Sequence, residues 1–578
     1  MGYRDMYQSW LNNPYFDEDT KEELRKIEGN EKEIEDRFYM DLEFGTAGLR
    51  GVIGAGTNRM NVYTVRKATQ GLSNYILKLG AQEKGVAIAY DSRRMSPEFA
   101  KEAALCLAAN GIKAYIFESL RPTPELSYAV RTLGCTAGIN ITASHNPPEY
   151  NGYKVYWADG AQITPPHDSG IMGEVKNVTD YATVKTMDYD EAVKAGLYEV
   201  IGAAIDDAYI AELKKLVLNQ GAIDAVADDL KVVYTPLHGT GNIPVRRVLK
   251  ELGFNHVYVV PEQELPDGEF PTVSYPNPEA AEAFKLGLAM AKKLDADLVL
   301  ATDPDADRLG VYVKDLKTGE YHSLTGNMSG CLIGAYEISQ RKEKYGLPAN
   351  GAFVKSIVST NLADAIAADY GIELCEVLTG FKFIGQKMLE FETKGNGTYL
   401  FGMEESYGCL PGTYCRDKDA VVASMVLCEA AAYYKTQGKT LWDAMLELYE
   451  KYGYYKDDVK SITLKGIEGL EKIQMIMNTL RDNTPSQIGD AKVLKARDYK
   501  KDTITDMETG AVSPTGLPSS NVLYYDLPEN AWVCFRPSGT EPKLKFYYGV
   551  KAKTMEEAEK KAETLGAAVL GLVEPMLA

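Results

Sequence analysis

The chain of 578 residues is longer than one hydrophobic core usually supports, so its length predicts about three to five domains. Its composition, 45% hydrophobic and 25% charged residues, is that of an ordinary globular protein. The formal net charge of −19 argues against generic binding of nucleic acid or anionic membranes, which requires an electropositive surface. No apolar run approaches the ~18 residues of a membrane span. An anionic ligand must therefore meet a local cluster of positive groups or a metal ion.

The first residues, MGYRDMYQSWLNNPYFDEDTKEEL, are polar and acidic and lack the basic and apolar regions of a secretory signal. The eight cysteines form no CxxC pair and no metal-finger spacing. In a large chain without an export signal, such cysteines are expected to be reduced and mostly buried. We therefore expect a cytoplasmic protein.

A glycine-rich stretch near the amino end, FGTAGLRGVIGAGTNRM, contains Arg50. Its glycines do not match the GxGxxG pattern before a helix, so no dinucleotide site is predicted. The stretch fits a loop that brings Arg50 close to a phosphate, and it fits a structural connection equally well.

A pattern of strand, polar loop, helix and strand recurs along the chain. It first occurs over residues 86–117, where Ser96 and Pro97 open the helix. It returns over residues 230–260 and 352–378, and each copy has a glycine just beyond its helix. Copies separated by more than 100 residues predict whole α/β domains of similar design rather than a short-period repeat.

Residues 142–150, TASHNPPEY, are called the serine loop here. The GxSxG elbow of α/β-hydrolases is absent, and the prolines would open the helix of such an elbow poorly. Neighbouring side chains usually diverge, so His145 need not be a base for Ser144. A phosphoserine that completes the coordination of Mg²⁺ fits better, although the loop taken alone also fits an ordinary capping serine.

Residues 303–308, DPDADR, are called the acidic loop and follow an apolar strand. Asp303, Asp305 and Asp307 would repel one another unless a cation neutralises them, so a bound divalent metal ion is the economical explanation. The Gly and Glu positions of a calcium-binding EF-hand are not matched. Ligands of open α/β sheets bind at the carboxyl ends of strands, where this loop lies. The alternative is a solvated acidic turn.

Residues 401–408, FGMEESYG, are called the glutamate loop. Carboxylates held in a rigid turn can accept hydrogen bonds from neighbouring sugar hydroxyls. An ordinary acidic turn explains this motif equally well when it is considered alone.

Residues 536–542, RPSGTEP, are called the arginine loop and lie between two predicted strands. Gly539 allows a tight turn, while hydroxyls, N–H groups and Arg536 can hold a phosphate. The loop lacks the Gly-Lys-Ser/Thr ending of a P-loop. A hairpin turn with a surface arginine is the alternative.

The last segment, with strand, arginine loop, strand and a helix opened by Thr554 and Glu557, predicts a small α+β domain. We place the domain limits at 1–205 for the domain with the serine loop, 206–325 for the acidic loop, 326–452 for the glutamate loop, and 453–578 for the arginine loop.

Together the loops resemble the α-D-phosphohexomutase family, which includes phosphoglucomutases and phosphomannomutases. TASHNP, DPDADR and RPSGTEP are each specific motifs of that resemblance. The resemblance runs from about Phe44 to Lys543. It implies an α/β fold: three similar α/β domains with mixed sheets, and a smaller C-terminal α+β domain, around a central cleft. The length and FGTAGLRG look most like the longer phosphoglucomutase branch.

The resemblance also implies roles for individual residues. Ser144 would carry a phosphoryl group and, with Asp303, Asp305 and Asp307, would hold Mg²⁺. The other implied catalytic residues are His145, Lys154 in YNGYKVY, Arg50 and Arg308. The implied substrate-binding residues are Glu404, Ser406, Lys418 in CRDKDA, Arg536, Ser538, Gly539 and Thr540.

The implied reaction interconverts glucose 1-phosphate and glucose 6-phosphate through a phosphoserine enzyme, with glucose 1,6-bisphosphate as intermediate and activator. The partners would be small sugar phosphates, with neither nucleic acid nor membrane, and the sequence does not predict an oligomeric state. Because the glutamate loop reads Gly-Met-Glu-Glu-Ser where many relatives read Gly-Glu-x-Ser, phosphomannomutase and phosphopentomutase remain alternatives. A metal-dependent sugar phosphatase and a non-catalytic sugar-phosphate sensor are the rivals from other classes.

Overall fold

The computed structural model describes residues 2–45, 48–464, 466–538 and 543–577. These residues form two compact units. The first comprises Met1–Gly326, Gly385–Gly395 and Ser406–Leu441, and the second comprises Asn327–Ile384, Asn396–Glu405 and Trp442–Ala578. In the described part of the chain, every helix is too short or too polar to cross a lipid bilayer. The cysteines are buried free thiols, as the sequence predicts.

Short helices open the first unit: α1 (Tyr3–Asn12), α2 (Glu18–Lys26) and α3 (Glu31–Phe38). Asp17 and Asn30 cap α2 and α3, since each side chain accepts a hydrogen bond from the first helical turn. The apolar faces meet around Trp10, which is 1% exposed and stacks on Phe16 with 4.0 Å between ring centroids. Trp10 also contacts Tyr63, beyond these helices, edge to face. This aromatic cluster fastens the N-terminal helices to the rest of the unit.

A mixed sheet follows. Its strands are β1 (Gly48–Val52), β2 (Val86–Tyr90), β3 (Ala114–Phe117), β4 (Ala137–Ile141), β5 (Tyr150–Trp157) and β6 (Tyr198–Ile201). The accompanying helices are α4 (Val62–Lys78), α5 (Ser96–Ala109), α6 (Thr123–Thr132), α7 (His167–Asn177) and α8 (Tyr189–Lys194). The strand order is β1–β5–β4–β2–β3–β6, with β5 antiparallel to both of its neighbours. The serine loop joins β4 to β5, so Ser144 lies beyond the carboxyl end of a fully buried strand.

A second mixed sheet is formed by residues further along the first unit. The elements are α9 (Ala203–Lys214), α10 (Gln220–Val226), β7 (Lys231–Thr235), α11 (Asn242–Leu252), β8 (His256–Val259), α12 (Pro261–Glu264), α13 (Lys285–Leu294), β9 (Leu298–Thr302), β10 (Leu309–Lys314) and β11 (Tyr321–Leu324). The strand order is β11–β10–β9–β7–β8. The acidic loop joins the buried strand β9 to β10, which places it at the carboxyl end of β9.

The next stretch again alternates helices and strands. Its elements are α14 (Gly326–Tyr345), β12 (Gly351–Ser356), α15 (Leu362–Tyr370), β13 (Glu373–Val377), α16 (Phe381–Lys394), β14 (Thr398–Glu404), β15 (Gly408–Leu410), α17 (Ala420–Lys435) and α18 (Leu441–Tyr452). In the second unit, β12 pairs in parallel with both β13 and β14.

The predicted recurring unit is confirmed in all three places. The copies are β2–α5–β3, β7–α11–β8 and β12–α15–β13, and the two strands of each copy pair in parallel. Gly253 and Gly371 end the second and third helices with φ of 99° and 67°, in the left-handed region that favours glycine. Local signals in the sequence therefore suffice to predict these units.

The C-terminal part of the second unit is an antiparallel sheet with helices. Its elements are β16 (Tyr454–Thr463), α19 (Gly466–Asp482), β17 (Gln487–Ile488), β18 (Ala491–Lys492), β19 (Lys495–Asp498), β20 (Thr503–Asp506), β21 (Val512–Ser513), β22 (Leu523–Asp526), β23 (Trp532–Pro537), β24 (Lys543–Ala552) and α20 (Met555–Leu577). The order of the main sheet is β16–β24–β23–β22–β19–β20–β21.

Strand β23 shows how this sheet is packed on both faces. Val533 and Phe535 belong to the core that α19 and α20 share with the sheet, whereas Trp532 and Cys534 belong to a separate apolar cluster. The alternation follows from the two-residue period of a strand. The first residue of the arginine loop, Arg536, belongs to the end of β23. It therefore lies on a strand whose two faces pack against separate apolar clusters.

Replacing Trp10 by Ala should destabilise the N-terminal helices by about 3–5 kcal/mol, because it removes a buried ring and leaves a cavity. Hydrogen exchange measured by mass spectrometry should therefore become faster over residues 3–38. Tyr39, which is 53% exposed, provides the control, since Tyr39→Ala should change exchange little. Equal exchange in the wild type and Trp10→Ala would contradict the anchoring role.

Candidate active site

The acidic loop is buried. Asp303 and Asp305 are 0% exposed and Asp307 is 2% exposed, and one oxygen atom from each carboxylate lies within 4.8 Å of the other two. This burial excludes the solvated acidic turn that the sequence left open. Like charges so close together in a buried site repel one another, so the cluster needs positive partners.

Ser144 lies against this cluster. Its Oγ donates a hydrogen bond of 2.6 Å to Asp303 Oδ2, and its side chain is buried. The backbone φ of Ser144 is 51°, a left-handed conformation that is uncommon outside glycine, and Ser144 N donates to Thr142 Oγ1 at 2.8 Å. The turn thus directs the serine hydroxyl toward the acidic loop rather than toward solvent.

Lys154 and Lys418 supply positive charge to the carboxylates. Lys154 Nζ lies 2.7 Å from Asp305 Oδ2 and 3.8 Å from Asp307 Oδ2, and Lys418 Nζ lies 3.0 Å from Asp307 Oδ2. The next residue back on β5, Tyr153, belongs to the apolar core. The alternation of β5 therefore sends Lys154 to the opposite face, where the carboxylates lie.

The pKa values of two carboxyl groups in this cluster shift in opposite directions. Burial, reinforced by the charges of Asp305 and Asp307, raises the pKa of Asp303 well above its ordinary value. Burial also opposes the ionisation of Asp305, but the Lys154 ammonium and hydrogen bonds, including one from Thr123, outweigh it and lower that pKa. A bound divalent cation would favour the ionised form of all three aspartates.

His145 differs from the expectation drawn from the sequence. Its Nδ1 lies 3.2 Å from Ser144 Oγ, so the two neighbouring side chains converge. Burial, together with the charges of Arg308 and Arg50, lowers the pKa of His145 well below its ordinary value. The ring is therefore neutral near pH 7 and can exchange a proton with the serine hydroxyl.

Arg50 contacts the serine loop, and Arg308 is the last residue of the acidic loop. Arg50, exposed on β1, donates from one terminal nitrogen to Asn146 Oδ1 of the serine loop at 3.3 Å. Arg308 closes the acidic loop and donates to Glu279 Oε1 at 2.7 Å. Arg50 therefore contacts the serine loop directly, whereas Arg308 is paired with Glu279 at the end of the acidic loop.

Thr123 and Thr240 hold the acidic loop and were not identified from the sequence. Thr123 donates from Oγ1 to Asp305 Oδ2 at 2.8 Å and from its backbone N to Asp305 O at 2.9 Å. Thr240 donates from N and Oγ1 to the carbonyl of Pro304 at 2.8 and 2.9 Å. Each threonine follows the carboxyl end of a strand, where ligands of open α/β sheets bind. That position in the sequence could have identified both threonines as candidate site residues.

The donor set fits a divalent metal ion. Oδ1 of Asp305 and Oδ1 of Asp307 are buried and have no hydrogen-bond partner among the residues that the structure describes. Buried carboxylate oxygens without donors are costly, and a cation supplies what they lack. With Asp303 and Ser144 Oγ, the site offers only oxygen ligands, as a hard cation prefers.

The glutamate loop is divided between the two units. In the second unit, Glu404 ends β14, is 3% exposed, and accepts a hydrogen bond of 2.7 Å from Gly380 N. In the first unit, Ser406 precedes Tyr407, whose carbonyl accepts a hydrogen bond of 2.9 Å from Leu309 N, directly after the acidic loop. Ser406 is therefore one residue away from a backbone contact with the residue that follows the acidic loop.

Arg536 and Ser538 lie at the end of β23 in the second unit. Both are half-buried and line a cavity of about 600 Å³, and Ser538 N donates to Lys543 O at 2.7 Å. Gly539 and Thr540 lie outside the described residues. The described end of the arginine loop thus presents a guanidinium and a hydroxyl beside a cavity.

The structure brings part of the predicted set together. One contiguous cluster in the first unit contains Ser144, His145, Lys154, Lys418, Asp303, Asp305 and Asp307. Of the remaining predicted residues, Glu404, Arg536 and Ser538 belong to the second unit.

Family models of phosphoglucomutase/phosphomannomutase α/β/α domains match the chain in order. Domain I matches residues 41–182, domain II matches 207–319 and domain III matches 325–452. These matches contain the serine, acidic and glutamate loops respectively, and together they cover more than half of the chain.

Relatives and solved structures agree with these matches. The phosphoglucomutase of Staphylococcus saprophyticus is 36% identical over 533 residues, covering 92% of this chain and 95% of that protein. The phosphoglucomutase of Staphylococcus aureus strain MRSA252 is 37% identical over 537 residues, covering 93% and 94%.

Two crystal structures share the fold at low identity. Parafusin, a phosphoglucomutase from Paramecium, has a TM-score of 0.68 at 18% identity, covering 93% of this chain and 96% of its own. A phosphoglucomutase/phosphomannomutase family protein from Burkholderia thailandensis has a TM-score of 0.61 at 19% identity, covering 91% and 96%. The chain therefore belongs to the α-D-phosphohexomutase family, in its phosphoglucomutase branch, and is an intramolecular phosphotransferase.

Proposed function

We propose that the enzyme interconverts glucose 1-phosphate and glucose 6-phosphate through a phosphorylated Ser144 and a glucose 1,6-bisphosphate intermediate. The observation that carries the proposal is the 2.6 Å contact between Ser144 Oγ and Asp303 inside a buried carboxylate cluster. A phosphate on Ser144 would lie beside oxygen ligands for a cation and near the Lys154 ammonium. We favour glucose over mannose and pentoses as the sugar of the substrate, because relatives at 36–37% identity are named phosphoglucomutases.

Mg²⁺ is the metal ion that we assign to the site. Asp303, Asp305 and Asp307 would hold it together with an oxygen on Ser144. When bound, Mg²⁺ offsets the negative charge of a phosphoryl group in transfer. The buried Oδ1 atoms of Asp305 and Asp307 support this assignment, since they accept no hydrogen bond within the described part of the chain.

In the first half-reaction, the bond between Ser144 Oγ and phosphorus breaks as phosphorus bonds to a hydroxyl oxygen of the sugar phosphate. The sugar hydroxyl loses one proton and Ser144 Oγ gains one, so the protons balance. Lys154 would accept the sugar proton in its neutral amine form. Neutral His145, whose Nδ1 lies 3.2 Å from Oγ, would pass a proton to Oγ from one ring nitrogen as it accepts one at the other. Lys418 and Arg308 would offset charge on the phosphoryl oxygens.

In the second half-reaction, glucose 1,6-bisphosphate must present its other phosphate to Ser144. The phosphate that is not reacting then needs a binding place of its own, and the arginine loop suits that role. Arg536 offers a fork that matches two phosphate oxygens, and Ser538 lines the same cavity. We include Gly539 and Thr540 in this phosphate site.

The sugar itself needs acceptors and donors for its hydroxyls. We assign this role to Glu404 and Ser406, and we assign Arg50 to the phosphoryl group on Ser144. Arg50 is suited to that contact because it already binds Asn146 of the serine loop.

A coupled assay tests the proposal directly: conversion of glucose 1-phosphate to glucose 6-phosphate with Mg²⁺ and a trace of glucose 1,6-bisphosphate, beside mannose and ribose 1-phosphates. Fast turnover of glucose 1-phosphate that EDTA abolishes is the expected result. Faster turnover of another sugar would correct the substrate. Release of inorganic phosphate without isomerisation would identify a phosphatase instead.

Ser144→Ala should abolish mutase turnover and leave the binding of glucose 1-phosphate nearly intact, because the carrier hydroxyl is lost while the charged groups remain. Turnover is followed in the coupled assay, and binding is followed by calorimetry. Ser169→Ala, at an exposed serine of α7, is the control and should retain full turnover. Wild-type turnover of Ser144→Ala would remove the carrier role.

Asp305→Asn should weaken Mg²⁺ binding by more than ~100-fold, because it removes a charged metal ligand. Changing a residue that only contacts such a ligand typically weakens binding ~10–100-fold. Calorimetric titration with Mg²⁺ measures the dissociation constant. Asp228→Asn, at an exposed aspartate of the same sheet region, should leave that constant unchanged. Equal Mg²⁺ affinity of Asp305→Asn and the wild type would place the cation elsewhere.

Arg536→Ala should raise KM for glucose 1-phosphate about 30-fold, which corresponds to about 2 kcal/mol for a charge-assisted phosphate contact. Arg536→Lys keeps the charge without the fork and should lie between this variant and the wild type. Lys501→Ala, on an exposed turn of the same region, should not change KM. A wild-type KM in Arg536→Ala would contradict the second phosphate site.

A further inference from the structure

Arg93 lies in the turn between β2 and α5, and none of the assignments above uses it. Its side chain is fully buried, which is rare for arginine and requires partners for its charge and its N–H groups. Asp91 supplies part of this need: its Oδ2 lies 3.4 Å from Arg93 Nε, and its Oδ1 accepts from Arg93 N at 2.9 Å.

The terminal nitrogens of Arg93 are directed at the backbone of the serine loop. One donates to the carbonyl of Pro147 at 2.9 Å and to that of Tyr150 at 3.0 Å. The other donates to the carbonyl of Ser144 at 2.5 Å and to that of Asn146. One guanidinium thus binds four carbonyl oxygens spread over seven residues of chain.

The serine loop needs such an external donor because it makes little regular structure of its own. Pro147 and Pro148 have no N–H group to offer. Ser144 is held at φ 51°, a conformation that costs energy for a residue with a side chain. Lysine, with a single rotatable ammonium, cannot match several carbonyls at fixed positions as the planar fork does.

The far side of the guanidinium is also supported. It lies over the ring of Phe270, with 5.1 Å between the guanidinium carbon and the ring centroid. Phe270 is fully buried, in the segment that follows α12. A Cβ added to nearby Gly268 would come within 2.6 Å of Arg94 N, so the backbones of the two segments are in close contact. Arg93 is therefore clamped between the serine loop and the part of the chain that contains the acidic loop.

We propose that Arg93 is a positioning residue for phosphoryl transfer, whose guanidinium holds the backbone of the serine loop so that Ser144 Oγ stays directed at Asp303. The proposal rests on the proposed function, since it assigns Arg93 to the step in which Ser144 gives up its phosphoryl group. Arg93 acts through the loop carbonyls and touches neither substrate nor metal. Its loss should therefore slow the transfer step without weakening substrate binding.

The test compares Arg93→Lys with the wild type in the coupled assay and in hydrogen exchange of residues 142–152. The kcat should fall about 100-fold, as for an ångström-scale misplacement of a reacting group, while KM changes less than about threefold. The amides of the serine loop should exchange about tenfold faster because the clamp is weakened.

Arg59→Lys is the matched control. Arg59 is also a buried arginine of this sheet region, but it binds Asp36 and the carbonyl of Asn58 instead of the serine loop. Its variant should show a comparable change in melting temperature with nearly unchanged kcat. Equal loss of kcat in the two variants, or a wild-type kcat in Arg93→Lys, would overturn the proposal.

Phe270→Leu provides a second variant in case Arg93→Lys does not fold. It keeps most of the apolar volume but removes the ring beneath the guanidinium. Its kcat should fall, by a smaller factor than in Arg93→Lys. If the wild type shows no mutase turnover, the proposed function fails, and hydrogen exchange alone decides whether Arg93 holds the loop. Unchanged exchange of residues 142–152 in Arg93→Lys overturns the clamp whatever the activity.

Discussion

Mutual neutralisation in one buried cluster is the constraint on which the rest of the first unit depends. Asp303, Asp305 and Asp307 share a loop of six residues, and neither they nor the lysines would be stable in that interior alone. Lys154 reaches Asp305 from 151 positions earlier in the chain, and Lys418 reaches Asp307 from the segment before α17. The cluster is therefore balanced only when both sheets and the segment before α17 are in place, which couples folding of the unit to assembly of the site.

The serine loop satisfies a different requirement, which concerns the backbone rather than charge. In the proposed reaction, the Ser144 hydroxyl has to be held at a fixed position against the acidic loop, because reorganisation would slow each transfer. The left-handed backbone of Ser144 provides that direction at a cost in local stability. The buried guanidinium of Arg93 offsets the cost by binding the loop carbonyls.

The distribution of charge explains how an acidic protein can accept a doubly anionic substrate. The net charge of −19 would repel a sugar bisphosphate at long range, but salt screens exposed charges beyond about 8 Å. Within the site, Lys154 and Lys418 contact the acidic loop, and Arg308 is its last residue. In the proposed reaction, local positive groups rather than the sign of the whole surface would therefore govern recognition of phosphate.

The sequence by itself determined the strand–helix–strand units, the strands that flank the loops, and the four loops where chemistry could occur. These features depend on local signals: residue periodicity, proline and glycine positions, and contiguous motifs. It did not reveal that His145 meets Ser144, that Thr123 and Thr240 hold the acidic loop, or that Arg93 binds the serine loop. Those contacts were decided by tertiary structure. The adjacent side chains of Ser144 and His145 meet because of their rotamers, and the other contacts depend on packing between segments tens to hundreds of residues apart, which no local pattern encodes.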